Sequence, residues 1–453
     1  MSTSSKTSTT KSPGELRGLS DSGGLRRVCI IGAGSSGLTV AKNLKQAGIP
    51  FDCLEAQPEL GGNWVYGSPV SSVCRSTHLI SSKALTEYTD FPMPASYPEF
   101  PSHQLVLDYF CSYADHFQLR DDIQFSTAVT RAQRNTNGGW KITTSDGQSR
   151  HYSAVVIANG HNWDPRLPDL PGHFDGLQLH SSEYKTPDLL AGKRVLVVGA
   201  GNSGCDIAVE SAQHAAATHI SMRRGYHFLP KFFRGQPVDY IGERLLRWRL
   251  PLSLRRRLAA GMTYLVLGSA QSLGMPRPDH RLFETHPIIN SQLIYHVRHG
   301  DITIRPNLAE LCGDSVRFTD GTQRRLDVII YATGFRITIP FIDRAELNWQ
   351  DERPELYLNV FHPERDDLFI AGLIQPDSGQ WGLVDRQAQL ITAYLTGLAQ
   401  GRPAAQKFRK LKRSTSARVN AGIHYVDSPR HLLEVEHFSY RRTLDRLIRQ
   451  LNR

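Results

Sequence analysis

Residues 27–55 read RVCIIGAGSSGLTVAKNLKQAGIPFDCLE, and this stretch decides the fold. The apolar run from Val28 to Ile31 predicts a buried strand, and the glycines that follow predict a tight turn into a helix. Gly48 is expected to end that helix, and a second strand is expected to run to Glu55. The stretch therefore predicts one βαβ unit of a parallel sheet.

The turn of this unit has the spacing GxGxxG, which is typical of dinucleotide-binding proteins. Such glycines allow a close approach to a pyrophosphate, and the helix that follows offers N–H groups and the positive end of its dipole. A carboxylate at the end of the second strand can accept hydrogen bonds from ribose hydroxyls. The predicted cofactor-binding residues of this unit are Gly32, Ala33, Gly34, Ser35, Ser36, Gly37 and Glu55.

A second unit with the same pattern begins at residue 194, where the sequence reads RVLVVGAGNSGCDIAVESAQ. The strand after its helix ends in Met222-Arg223-Arg224, without an acid at the ribose position. An acid there would repel a 2′-phosphate, whereas a guanidinium can bind it through paired charge-assisted hydrogen bonds. The unit is therefore predicted to bind NADP, although the two arginines could instead belong to a basic surface. Its predicted cofactor-binding residues are Gly199, Gly201, Asn202, Ser203, Gly204, Arg223 and Arg224.

The order of segments predicts how the two units are combined. Each unit is followed by hairpin signals and then by a buried strand, AVVIANG at 154–160 and VIIYATG at 328–334. The predicted fold class is α/β, with two Rossmann-like dinucleotide-binding domains. The first domain is expected to be discontinuous, covering 26–172 and 322–453, with the second domain inserted at 173–321. Residues 1–25, which contain no apolar run, are expected to form a disordered leader.

The composition excludes several classes of protein. With 40% hydrophobic and 21% charged residues, the chain is typical of a soluble globular protein, and no apolar stretch is long enough to span a bilayer. The six cysteines show no CxxC spacing, so neither a metal site nor the cysteine pair of a disulfide reductase is predicted. A cytoplasmic location is expected.

The segment between the two units carries a further motif. Residues 174–185 read FDGLQLHSSEYK, which is similar to the FxGxxxHxxx(Y/F)K fingerprint of flavin-containing and N-hydroxylating monooxygenases. Baeyer–Villiger monooxygenases have Trp-Pro where this chain has Tyr184-Lys185. From about residue 26 to about residue 400 the chain resembles the flavin-containing monooxygenase family, including the segments Gly61-Gly62-Asn63-Trp64 and Ala332-Thr333-Gly334.

The resemblance implies a class B monooxygenase that binds FAD and NADPH. In the implied cycle NADPH reduces FAD, O₂ adds at flavin C4a, and NADP⁺ shields the hydroperoxide until a substrate takes one oxygen atom. The expected substrate is a small organic molecule that is oxygenated at nitrogen or sulfur. Ketone oxygenation of the Baeyer–Villiger type, NADPH oxidation with release of peroxide, and a non-catalytic cofactor-binding regulator are the alternatives.

The resemblance also implies contacts by motif position. It adds Asn63, Trp64 and Ser81 to the residues expected to contact FAD. His180 of the fingerprint is interpreted as a brace at the domain linker rather than as a base, although histidine titrates near neutral pH. No catalytic residue is assigned.

One position departs from the family pattern. Residues 77–83 read THLISSK, and Ile80 stands where the family has an asparagine directly before Ser-Ser-Lys. In the family that asparagine lies beside the flavin and the nicotinamide and supports the oxygenated intermediate. Either a neighbour such as His78, Ser81 or Asn63 replaces it, which we favour, or the intermediate is short-lived and peroxide is released.

The net charge of +10 is concentrated in one segment, since residues 223–260 contain ten Lys and Arg against two acids. Arginines alternate there with apolar residues, which predicts a basic amphipathic helical insert over about 226–295. We interpret the insert as a lid over the active site, with peripheral contact to an anionic membrane as the alternative. Nucleic-acid binding is disfavoured because no recognised module is present. The oligomeric state is not predicted.

Overall fold

The structure is a computed structural model, and it describes residues 27–136, 138–413 and 419–453. The leader expected over residues 1–25 lies outside the described residues. Ten strands form two parallel sheets. They are β1 (Val28–Ile31), β2 (Phe51–Leu54), β3 (Ile123–Gln124), β4 (Ala154–Ile157), β5 (Leu177–His180), β6 (Arg194–Val198), β7 (Ala217–Ser221), β8 (Ile302–Arg305), β9 (Val328–Tyr331) and β10 (Leu368–Ile370).

The two sheets have corresponding topologies. The first has the strand order β10-β4-β1-β2-β3, and the second has the order β5-β9-β6-β7-β8. All neighbouring strands in both sheets are parallel. In each sheet the strand before the glycine turn is central, which is where the sequence pattern of a dinucleotide-binding unit requires it. The predicted α/β fold with two Rossmann-like units is confirmed.

Nine helices lie in the described part of the chain, and some pack on these sheets while others pack on neighbouring helices or on the insert. They are α1 (Ser35–Gln46), α2 (His103–His116), α3 (Asn202–His214), α4 (Val238–Arg247), α5 (Leu252–Leu267), α6 (Gln292–His299), α7 (Trp381–Ala399), α8 (Pro403–Leu411) and α9 (His437–Leu451). A single helical turn lies at Lys83–Thr86. The predicted return of the C-terminal segment to the first sheet is confirmed, because β10 pairs with β4 and leads into α7.

A buried ion pair joins α1 to α7. α1 buries Leu38, Ala41 and Leu44 on one face, as helical periodicity requires. On the same helix the ammonium of Lys42 lies 3.0 Å from the carboxylate of Asp385 on α7. Both side chains are buried, so the charges are held together without competition from water.

Two further sheets extend the units. Their hairpins are antiparallel, as the hairpin signals predicted, whereas Gly172–Phe174 pairs in parallel with Leu308–Gly313. One sheet contains Val129–Arg134, Trp140–Thr144 and Ser149–Tyr152; the other contains Gly172–Phe174, Leu308–Gly313, Ser315–Phe318 and Gln323–Arg325. Five short pairs complete the strands, namely Asp164–Pro165 with Phe335–Arg336, Phe228–Leu229 with Ile288–Ile289, Phe232–Phe233 with Gln236–Pro237, Trp349–Gln350 with Arg353–Pro354, and Gln375–Pro376 with Glu434–Val435.

The expected boundary between residues 321 and 322 divides the second sheet. β9 lies beyond that boundary, yet it hydrogen-bonds to β5 on one side and to β6 on the other. A boundary at 322 would remove a central strand from the sheet. We therefore propose that the inserted domain ends after β9, at the turn that begins with Ala332.

Candidate active site and cofactor cradles

The glycine turn after β1 forms a cradle that is open at its middle glycine. A methyl group on Gly37 would lie 1.8 Å from the carbonyl oxygen of Gly32, so only glycine lets the helix approach the turn. A methyl group on Gly34 would meet nothing closer than the Cα of Gly62, at 3.7 Å. No side chain caps α1 and no acid lies in its first turn. The N–H groups of the turn and the space above Gly34 therefore fit a pyrophosphate.

Glu55 lies beside this cradle. One carboxylate oxygen accepts a hydrogen bond from the backbone N–H of Ala33 at 2.6 Å, and the other accepts one from Gln57 at 2.8 Å. Burial raises the pKa of Glu55, and the backbone hydrogen bonds oppose that shift. Each oxygen retains a free lone pair, so the carboxylate can still accept from the hydroxyls of a ribose.

The Gly61-Gly62-Asn63-Trp64 segment forms the opposite wall. Its three-residue helical turn, Gly62–Trp64, places the indole of Trp64 edge-on to Trp381, with ring centroids 5.7 Å apart. The side-chain oxygen of Asn63 accepts from the N–H and the hydroxyl of Ser72, both at 2.7 Å. Asn63 therefore orders the loop that follows it, and its predicted contact with FAD remains a prediction.

The loop that contains Ile80 is tied down by its own polar groups. Ile80 is 36% exposed. The Ser81 hydroxyl lies 2.9 Å from that of Thr86, and Nδ1 of His78 donates to the carbonyl of Ser76 at 2.7 Å. The residues considered as replacements for the family asparagine thus already have partners within the same protein. Both alternatives stay hypotheses: replacement of the asparagine by a neighbour, which the sequence analysis favours, and release of peroxide.

The basic insert covers this loop. Asp239, in the first turn of α4, accepts hydrogen bonds from both the N–H and the hydroxyl of Ser82 at 2.7 Å. Phe232 of the insert lies edge-on to Phe100, and the ammonium of Lys231 lies 4.2 Å from the centre of the same Phe100 ring. The insert contains the helices α4 and α5, and Asp239 of α4 joins it to the loop that contains Ile80.

The second cradle repeats the geometry of the first. A methyl group on Gly204 would lie 2.0 Å from the carbonyl oxygen of Gly199. α3 begins at Asn202 without a side-chain cap and without an acid in its first turn. The side-chain oxygen of Asn202 accepts from the N–H of Ile289 at 2.9 Å, which joins the cradle to the insert. Ser203 is exposed at the start of the helix.

The register of the strands identifies the position that corresponds to Glu55. The N–H of Gly32 donates to the last residue of β2, Leu54, and the N–H of Gly199 donates to the last residue of β7, Ser221. The residue after Ser221 is Met222, so no carboxylate lies at the second ribose position. Arg223, which follows, is exposed.

Arg224 is the more buried of the two arginines. Its side chain is 28% exposed, and its Nε lies 3.9 Å from the carboxylate of Asp279. An ion pair of that length leaves most guanidinium donors free. The structure therefore brings both predicted arginines to the edge of the second cradle.

His180 and Lys185 of the fingerprint motif, residues 174–185, hydrogen-bond to other segments of the chain. The Nδ1 of His180 accepts from the backbone N–H of Ser182 at 3.2 Å, so its Nε2 donates to the carbonyl of Gly334 at 3.1 Å. Burial lowers the pKa of His180. Lys185 donates to the carbonyls of Ser71 and Val73 in the first domain. These contacts agree with a brace at the linker and leave His180 without a free ring nitrogen.

One residue at the second cradle was missed by the sequence reasoning. The guanidinium of Arg430 lies over Gly201, the middle glycine, although Arg430 belongs to the C-terminal segment. Arg430 is part of no recognised motif, and no local pattern connects it with a phosphate site. Only the packing of the C-terminal segment reveals it.

Comparison with known proteins agrees with this geometry. Residues 25–452 match the family model described as flavin-binding monooxygenase-like. The chain is 31% identical over 435 residues to flavin-containing monooxygenase 5 of Rattus norvegicus, covering 90% of this chain and 80% of that protein. It is 32% identical over 395 residues to the N-oxide-forming dimethylaniline monooxygenase 2 of Macaca mulatta, covering 82% and 74%.

Two solved structures share the fold. S-allyl-L-cysteine S-oxygenase from Allium sativum has a TM-score of 0.64 at 22% identity, covering 94% of this chain and 88% of its own. Cyclohexanone monooxygenase from Rhodococcus sp. Phi1, bound to NADP⁺, has a TM-score of 0.70 at 17% identity, covering 94% and 98%. With the family model and the relatives, these likenesses show that the chain belongs to the flavin-binding monooxygenase-like family, as an NADPH-dependent flavin monooxygenase with FAD and NADPH as its cofactors.

Proposed function

We propose that this monooxygenase transfers one oxygen atom from O₂ to a nitrogen or sulfur atom of a small organic substrate. The observation that carries the proposal is the presence of two glycine cradles in one chain, since the backbone of each fits a dinucleotide pyrophosphate. The relative from Macaca mulatta, which is named for N-oxide formation, supports nitrogen as an acceptor atom. The residues Tyr184-Lys185, which replace the Trp-Pro of Baeyer–Villiger enzymes, favour this chemistry over ketone oxygenation.

Each part of the chain has a distinct task in this proposal. The turn from Gly32 to Gly37 binds the pyrophosphate of FAD, and Glu55 accepts from its ribose. The turn from Gly199 to Gly204 and the two arginines bind NADPH. When bound and reduced by NADPH, FAD supplies the oxygen-activating chemistry. The insert is tied through Asp239 to Ser82, in the loop that contains Ile80, and packs on this loop.

The test is product formation under ¹⁸O₂ with the FAD-loaded protein and NADPH. N,N-dimethylaniline, methyl p-tolyl sulfide and cyclohexanone are offered separately, and NADPH consumption, peroxide and product are measured. We expect N-oxide or sulfoxide that carries one ¹⁸O atom. Lactone as the main product would instead establish ketone oxygenation, and peroxide equal to the NADPH consumed with every substrate would establish an oxidase.

The location of the protein is a further part of the proposal. Among the described residues, no helix combines the length and the apolar character needed to cross a bilayer. All six cysteines are free thiols, which supports a reducing cytoplasm. The outward face of α4 and α5 supports peripheral contact with an anionic membrane. Its apolar side chains Trp248, Tyr264 and Leu265 are 71%, 67% and 78% exposed, and exposed arginines lie on the same pair of helices.

A vesicle assay tests this contact. The protein is floated with vesicles of phosphatidylcholine alone or with added phosphatidylserine, in low and high salt. Tyr264→Ser with Leu265→Ser is expected to reduce binding, because aromatic and apolar side chains anchor interfacial helices. Leu167→Ser changes an exposed leucine outside the insert and is the matched control. Equal binding by the double variant, or no binding to anionic vesicles, would contradict a membrane role and leave the insert as a lid.

A further inference from the structure

The mouths of the two cradles differ in one feature. Above Gly34 the nearest protein atom to an added methyl group belongs to the backbone of Gly62. Above Gly201, the corresponding residue, the nearest atoms are those of the Arg430 guanidinium: Nη2 at 3.1 Å, Cζ at 3.5 Å and Nη1 at 3.6 Å. A cation therefore lies at the phosphate-facing glycine of the second cradle only.

The guanidinium is held there by the C-terminal segment. Arg430 lies in a helical turn, Pro429–His431, and the N–H of His431 donates to the carbonyl of Ser428 at 2.9 Å. The strand Glu434–Val435, which follows shortly, pairs with Gln375–Pro376. That pairing anchors the segment to the C-terminal part of the FAD-binding domain.

On the other side the guanidinium stacks on the insert. Its Cζ lies 5.3 Å from the centre of the Tyr226 ring, which follows the Arg223-Arg224 pair closely in the sequence. Within the described part of the chain, Arg430 forms no hydrogen bond or ion pair with a carboxylate. The charge is thus oriented by packing, and its donors remain available.

A guanidinium in this position is unfavourable unless an anion joins it. The N-terminus of α3 carries the positive end of the helix dipole, has no side-chain cap, and has no acid in its first turn. Two positive groups that face one space repel each other, and a phosphate between them would satisfy both.

We propose that Arg430 is a ligand of the pyrophosphate of NADPH, delivered to the NADP-binding domain by the C-terminal segment of the FAD-binding domain. The inference rests on the assignment of NADPH to the second cradle. Bound nucleotide then bridges the two domains, because its phosphates contact α3 on one side and a residue anchored to Gln375–Pro376 on the other. Arg430 is a binding residue in this scheme and takes no part in proton or oxygen transfer.

Calorimetric titration of the oxidised, FAD-loaded protein with NADP⁺ and NAD⁺ tests the proposal without relying on activity. Arg430→Ala should raise the Kd for both nucleotides by a similar factor of about 10 to 100, since both carry the pyrophosphate. Arg430→Lys should recover part of the affinity because it restores charge without the paired donors. Arg442→Ala is the matched control, since Arg442 also stacks on an aromatic ring, that of Phe438, in the C-terminal part of the chain.

Three outcomes would overturn the inference. An unchanged Kd in both Arg430 variants would show that the guanidinium is not a ligand. Tighter binding in Arg430→Ala would show that the arginine blocks the cradle. A loss confined to NADP⁺ would place it at the 2′-phosphate instead. Titration of the unaltered protein separates this inference from its premise: if it binds neither NADP⁺ nor NAD⁺, the assignment of the nucleotide to the cradle itself is wrong.

Discussion

The substitution Gly34→Ala separates the fold of the first cradle from its binding function. Gly34 has φ −75° and ψ −170°, which alanine adopts without strain. The added methyl group would lie 3.7 Å from the Cα of Gly62, an ordinary contact. The apo protein should therefore be unchanged or stabilised by about 0.4–1 kcal/mol, through the lower entropy of the unfolded chain.

The substitution should instead weaken the binding of FAD. The methyl group enters the space where the pyrophosphate approaches the N-terminus of α1. Overpacking of a close contact costs about 1–3 kcal/mol, which corresponds to a rise of about 5- to 150-fold in the Kd for FAD. Titration of deflavinated protein with FAD, followed by quenching of flavin fluorescence, measures this Kd, and thermal unfolding of the apo form measures the stability.

Two further glycine substitutions are the controls. Gly37→Ala places its methyl group against the carbonyl of Gly32 and should destabilise the protein with or without FAD. Gly261→Ala, in α5, meets no atom within 4 Å and should leave the Kd for FAD unchanged. The reasoning fails if Gly34→Ala binds FAD like the wild type, or if its apo form unfolds several degrees earlier.

Three other changes have defined outcomes. Arg224→Ala should raise the Kd for NADP⁺ by about 10- to 100-fold in calorimetry, because only NADP⁺ carries the 2′-phosphate. The Kd for NAD⁺ should not change. Lys42→Met should lower the free energy of unfolding by about 3–5 kcal/mol in urea titrations, because it leaves the buried Asp385 carboxylate without a positive charge beside it. Ile80→Asn should lower the peroxide released per NADPH consumed, if the missing asparagine limits oxygen transfer.

Substitutions elsewhere or of a more conservative kind are the controls for these changes. Lys45 lies on the same helix as Lys42 and pairs with Asp122, but both side chains are partly exposed. Lys45→Met should therefore cost less than about 1 kcal/mol, and an equal loss in both variants would refute the argument from burial. Ile80→Leu keeps the side chain apolar and should leave the peroxide yield unchanged. If Arg224→Ala lowers the affinity for NADP⁺ and for NAD⁺ equally, then Arg224 does not bind the 2′-phosphate.

The local sequence was sufficient to predict the two glycine cradles. Strand, turn and helix follow one another within a few residues, and the glycine spacing is imposed by backbone contacts such as that between Gly37 and Gly32. The absence of an acid from the second ribose position, where Met222 stands, was predictable for the same reason. The register of β7 beside β6 fixes that position. Helix α4 of the basic insert was also predictable, because its apolar residues and arginines recur with helical periodicity.

Three features depended on contacts between distant parts of the chain. The sequence of β9 predicts a buried strand, but an apolar run does not show which sheet the strand will join. Its pairing with β5 and β6 is the reason why we propose a boundary after β9 instead of at 322. The contact of Ser82, in the loop that contains Ile80, with Asp239 of the insert joins segments that lie far apart in the sequence. The position of Arg430 over Gly201 arises only when Glu434–Val435 pairs with Gln375–Pro376. The sequence by itself thus determined the chemistry of each nucleotide unit, because that chemistry is local. The tertiary structure alone decided how the units complete each other, because non-local contacts leave no periodic pattern in a single chain.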